Sequence, residues 1–178
     1  MNMEKKSGYK YVDELLDVVD EHDNVIAVKP RSEVYAKKLN FRAINVFIEN
    51  DKGQLWIPRR VADKRVFPLA LDMSCAGHVE SGDTYEQTVI REVQEELNID
   101  LNNVPFTFLG YLSPYKDGVS AFVKVYKIKM NETPRYNPTD FCEAFWLTPK
   151  ELMQRLENGD TSKTDLPVLV RIFYGDQL

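Results

Sequence analysis

Cysteine and histidine are scarce in this chain, with two of each in 178 residues. Cys75 and Cys142 form no C-x-x-C pair and share no zinc-site spacing with His22 or His78. So few cysteines exclude a disulfide framework, and the fold must rest on an apolar core. A basic excess is also missing. Lys and Arg number 23 against 28 Asp and Glu, a net charge of −5. A general nucleic-acid surface runs on clustered cations, so that class of partner is excluded. A small anionic ligand needs only a local basic patch or a bound cation. No apolar run nears the roughly 20 residues that cross a bilayer. The opening MNMEKKSGYKYV carries lysines but no apolar signal-peptide core. The expectation is a cytoplasmic protein with neither a membrane nor a nucleic-acid partner.

Apolar residues make up 43% of the chain, which suits one domain with a proper core. Residues 1–8 read as a flexible N-terminus and 9–178 as the domain, with 9–39 as an N-terminal hairpin extension. Val18 and Val19 precede a polar turn, Glu21 to Asn24, and Val25, Ile26 and Val28 follow it, the pattern of two paired strands. SEVYAKKLN reads as a short helix or loop. FRAINVFIEN, QLWIPRR, MSCAG, FTFLGYLSP, SAFVKVYKIKM and FCEAFWLT read as strands. PKELMQRLENG has Thr148 as N-cap, Pro149 at the first helical position and Gly159 beyond the end. DLPVLVRIFYGDQL reads as a last helix. Strands on both sides of a central helix, with helices late in the chain, predict a mixed sheet covered on two faces.

The central helix carries the chemistry. GHVESGDTYEQTVIREVQEEL opens on a glycine and gathers Glu86, Glu92, Glu95 and Glu96 with Arg91 among them. Asp83 and Glu86 have capping-box spacing, which starts the helix near Thr84. Val89, Val93 and Leu97 recur every four residues and, with Ile90, form one apolar arc. Glu92 and Glu96 stack four apart, and Glu95 flanks them at the margin of that arc. Glu86 falls inside the apolar arc without an evident reason. Crowded carboxylates repel one another and tend to take up a proton. A hard divalent cation removes both problems, and Arg91 is placed to brace one acid. Gly77 would let the preceding loop turn carbonyls toward the same ion. Spacing alone equally admits a solvated acidic face.

The segment resembles the Nudix hydrolase signature, G-x5-E-x7-R-E-U-x-E-E-x-G-U with U bulky and aliphatic. Gly77, Arg91, Glu92, Val93, Glu95, Glu96 and Ile99 match in register. Asp83 replaces the usual Glu, and Asn98 replaces the usual Gly; asparagine is the next-best residue for a left-handed helix end. VDELLDVVDEHDNVIAVKPRSEV, RRVADKRVFP and DMSCAGHVESGD further resemble the branch that includes isopentenyl-diphosphate isomerase and its hydrolase relatives. The resemblance spans residues from about 10 to 160 and implies an α/β/α sandwich that cleaves phosphoanhydrides with Mg²⁺ or Mn²⁺. Its implied metal set is Glu92 and Glu96, helped by Glu95, by a carbonyl near Ala76 or Gly77, and by an outside acid, Glu143. Glu95 or a loop carboxylate would act as base. Arg60 and Lys64, with Arg59 nearby, match diphosphate-gripping positions, and His78 keeps the family's Gly-His pair.

The isomerase needs a cysteine one residue further on and a histidine-rich metal site. Ala76 occupies that cysteine's position here, and one step along a strand reverses the face. Hydrolysis of a nucleoside-diphosphate-type or small organic diphosphate is therefore the expected reaction. An isomerase-like enzyme and a non-catalytic nucleotide-binding module are the alternatives. Trp56, Phe67, Tyr115 and Tyr136 are candidates for stacking on a base. The N-terminal hairpin is a candidate support for a homodimer.

Overall fold

The computed structural model describes residues 13–178. The expected flexible N-terminus, residues 1–8, and the first residues of the extension lie outside that range. The chain orders itself as β1 (Leu15–Val19), β2 (Val25–Pro30), α1 (Arg31–Lys37), β3 (Arg42–Glu49), β4 (Leu55–Arg60) and β5 (Cys75–His78). Helix α2 (Tyr85–Leu97), β6 (Phe106–Leu112), β7 (Phe122–Lys129), β8 (Phe141–Leu147), α3 (Pro149–Glu157) and α4 (Asp165–Tyr174) follow. β1 and β2 form the expected antiparallel hairpin.

The main sheet runs β6-β7-β3-β4-β8, with β5 also paired to β3. It is mixed: β7 lies parallel to β3, while β5 and β6 run antiparallel to β3 and β7. Strand periodicity sorts β3 between two cores. Ile44, Val46 and Ile48 pack with Val89, Val93 and Leu97 of α2, while Phe47 faces Leu152 of α3 and Leu166, Leu169 and Val170 of α4. The result is the mixed sheet covered on two faces that the order of elements predicts, and the α/β/α sandwich that the resemblance implies. A third small core, Leu16, Val18 and Val34, seats the hairpin and α1 against Phe41.

Helix α2 starts one residue later than the Asp83–Glu86 spacing implied. Thr84 is the N-cap: its hydroxyl accepts from Gln87 N at 3.1 Å, and Gln87 Oε1 accepts from Thr84 N at 2.8 Å. The capping box is therefore Thr84–Gln87. Glu86 instead reaches across the sheet face, where Lys124 Nζ donates to it at 2.9 Å and the Tyr126 hydroxyl at 3.2 Å. That partnership explains an acid within the apolar arc. Asn98 ends the helix at φ 54°, the left-handed cap expected of it.

Candidate active site

A cleft of about 1120 Å³ opens between β5, the N-terminal end of β3 and the hairpin–α1 unit. Its wall gathers Gly77, His78, Arg91, Glu92, Glu95, Glu96, Arg60 and Lys64 from the residues singled out in the sequence. Helix α2 packs along β5 and β3, and its periodicity turns Glu92 and Glu96 toward β5 while Glu95, 62% exposed, faces outward. Arg91 Nη1 donates to Glu92 Oε1 at 2.8 Å, and Nη2 lies 3.3 Å from Glu80 and 3.8 Å from Asp83. The arginine is thus the predicted brace.

Gly77 is not the flexible turn expected. It lies within β5, opposite Ile44, with no left-handed φ. Its missing side chain matters for space: a Cβ there would stand 2.2–2.4 Å from Glu92 atoms. The glycine leaves room for a carboxylate against the strand.

Burial pushes the Glu92 carboxyl up to about 7; Arg91 opposes the rise, and the charges of Glu95 and Glu14 reinforce it. Burial likewise lifts Glu96 to about 8, helped by Glu92 and Asp72. Glu96 Oε2 accepts a long bond, 3.4 Å, from Ala76 N, and the Cys75 thiol also bonds to this carboxyl. Among the described residues, no three His, Cys, Asp or Glu side chains form a ready-made metal cage. The donors nevertheless fit a hard divalent cation: two crowded carboxylates, with Arg91 compensating only Glu92, stand against the backbone of a glycine strand.

Two expected residues fall elsewhere. Arg59 Nε donates to Glu143 Oε1 at 2.5 Å, and Arg59 also bonds both carboxylate oxygens of Asp160 at 2.8 Å. Neither Arg59 nor Glu143 is among the residues lining the cleft. Arg59, expected on the substrate side, and Glu143, expected at the metal, thus pair with each other and with Asp160 outside the cleft wall. Arg59 and Arg60 adjoin, and successive strand residues point to opposite faces. Of the aromatic candidates, Trp56 and Tyr136 pack together in the core, Tyr115 accepts from Asn40 Nδ2, and Phe67 lines the cleft.

Sequence reasoning missed Glu14, Tyr35, Asp72, Asp140 and Lys163. His78 sits between Glu14 (Nδ1 to Oε2, 3.3 Å) and Tyr35 (Nε2 to the hydroxyl, 2.9 Å), which fastens the hairpin and α1 to the signature strand. Asp140 accepts from Lys64 Nζ at 2.5 Å. No local motif announces these residues, because each meets the site through long-range packing. Cys75 is buried beside Glu96, and burial pushes its thiol well above the usual range.

The helix of this mixed-sheet sandwich thus turns two acids toward a glycine strand and a polar cleft. The NUDIX domain family matches residues 39–166. The chain belongs to the Nudix family, hydrolases that act on pyrophosphate bonds. It is 56% identical to an uncharacterized Nudix hydrolase of Nostoc sp. over 92% of this chain and 97% of that one. It is 41% identical to a Nudix hydrolase of Deinococcus radiodurans, over 93% and 96% respectively. The crystal structure of DR0079 from Deinococcus radiodurans superposes with a TM-score of 0.86 at 41% identity, covering 90% of this chain and 99% of that one.

Proposed function

We propose that this Nudix hydrolase uses Mg²⁺ or Mn²⁺ to cleave a phosphoanhydride bond. Its substrate would be a small nucleoside-diphosphate-type or organic diphosphate. The observation that carries the reading is the pair Glu92 and Glu96, half-sunk against Gly77 and held above the ordinary carboxylate range by burial. Glu92 and Glu96, with a main-chain oxygen at Ala76 or Gly77 and help from Glu95, would hold the cation. When bound, the cation neutralises the diphosphate and acidifies water. Arg91 keeps Glu92 in place, at 2.8 Å. Glu95, the exposed member, takes the proton of the attacking water. Arg60, Lys64 and His78 line the substrate side.

The hairpin extension and Gly77-His78 support kinship with the branch that includes isopentenyl-diphosphate isomerase, while the thiol positions favour hydrolysis. Cys75 is buried beneath Glu96, and exposed Cys142 is not among the cleft-lining residues, which leaves no thiol to work on a carbon. Two free thiols suit the reducing cytoplasm proposed as its compartment. Exposed Val25, Ile26 and Val28 on β2 support a homodimer through the hairpin, which sedimentation equilibrium would check.

A panel of diphosphate compounds assayed with Mg²⁺ and Mn²⁺ tests the reaction. Release of phosphate or a monophosphate, abolished in Glu96→Gln, is expected. Activity unaffected by that substitution would remove Glu96 from the mechanism. Turnover of nothing on the panel would favour the non-catalytic module.

A further inference from the structure

The neighbours Arg59 and Arg60 use their donors in opposite ways. Arg59 directs four of its five N–H donors to Glu143, Asp160 and the Leu69 carbonyl. The Arg60 guanidinium lines the cleft and donates from Nη1 to Asp72 Oδ2 at 2.7 Å, while its Nε is buried with no partner among the described atoms. An arginine that served only the fold would have its buried donors satisfied, because an unpaired one is costly.

Asp72 is 2% exposed and holds a second cation, Lys163 Nζ, 3.3 Å from its Oδ1. Lys163 arrives from the connection between α3 and α4. The main chain fixes it there: Lys163 N donates to Leu71 O at 2.9 Å, and Leu71 N donates to Thr161 O at 2.8 Å. The ammonium has three donors, so Asp72 leaves some unspent. One buried carboxylate thus carries two cations from distant segments. Both cations line the cleft that contains Glu96, and the trio bears a net positive charge.

From this geometry we infer that Arg60 and Lys163 form a clamp for a phosphoryl group of the substrate, with Asp72 as the positioning residue that aims both cations. The planar guanidinium and the compact ammonium together suit the several oxygens of a phosphoryl group. The clamp deepens the hydrolase reading and rests on its diphosphate substrate class, but it can be tested without turnover. The probe is methylenediphosphonate, titrated by calorimetry in Mg²⁺ buffer. Lys163→Ala should weaken its Kd by about tenfold or more, the cost of a charged hydrogen bond, and Lys163→Arg should restore most of the affinity. Asp72→Asn should also weaken binding even though it makes the cleft more positive, because the cations lose their anchor. Joining it to Lys163→Ala should add little. Unchanged Kd in Lys163→Ala overturns the clamp, and equal or tighter binding in Asp72→Asn overturns the positioning role. Asp72 is buried, so the partly exposed Lys163 keeps the test decisive if Asp72→Asn fails to fold. Wild-type binding without hydrolysis of any diphosphate sinks the hydrolase reading alone.

Discussion

Removing divalent metal should make stability fall as pH rises, and Glu96→Gln should abolish most of that fall. Glu96 is lifted from 4.5 to about 8, chiefly by burial. Between those values the native state keeps a proton that the unfolded chain has lost. The native state is therefore progressively disfavoured as pH rises through this window, and the loss is complete above about 8. At about 1.4 kcal/mol per pKa unit, the penalty is on the order of 5 kcal/mol. For a domain of this size that is on the order of 10 °C in Tm. Glu92, lifted to about 7, acts in the same direction, but the two acids titrate as a coupled pair. His78, lowered mainly by burial, acts in the opposite sense below its ordinary 6.5. It is common to both proteins, so the difference between wild type and Glu96→Gln isolates the glutamate. Thermal melts in EDTA from about pH 5 to about pH 9 should show the variant overtaking wild type as pH rises. Saturating Mg²⁺ should rescue wild type most at high pH, where the ligands are ionised. Parallel curves for the two proteins in EDTA would refute the reasoning.

Gly77→Ala should weaken Mn²⁺ binding by about tenfold or more, followed by electron paramagnetic resonance, because the new Cβ would occupy the place of the Glu92 side chain. Arg59→Ala should lose about 1–3 kcal/mol in urea melts, since Asp160 and Glu143 lose their partner, while kcat/KM stays near wild type. Brief iodoacetamide treatment of the native protein, read by mass spectrometry, should label exposed Cys142 and spare buried Cys75. Thr84→Ala should cost about 1 kcal/mol through the lost N-cap of α2, seen in denaturant midpoints.

Local order decided how well each element could be read. The arc Val89, Val93 and Leu97, the Asn98 cap and the Thr148–Pro149 start all depend on neighbours within one helical turn, and each stands where its spacing implied. The capping box slipped by one residue because Asp83–Glu86 and Thr84–Gln87 both satisfy the same short pattern. Asp83 instead lies 3.8 Å from Arg91. Glu143 and Arg59, which pair with each other outside the cleft wall, were hard to place for a different reason. Alternation along a strand says that neighbours diverge, but not which one meets the cleft.

The sequence by itself determined that acids repeat along one side of an amphipathic helix that follows a glycine, since helical periodicity is a property of the segment alone. Only tertiary structure decided which cations and acids complete the site. Glu14 comes from the hairpin, Arg60 from β4, Asp140 from the loop before β8, and Lys163 from the turn before α4. Their meeting depends on how two apolar cores seat these segments about one sheet, and that packing acts between residues far apart along the chain.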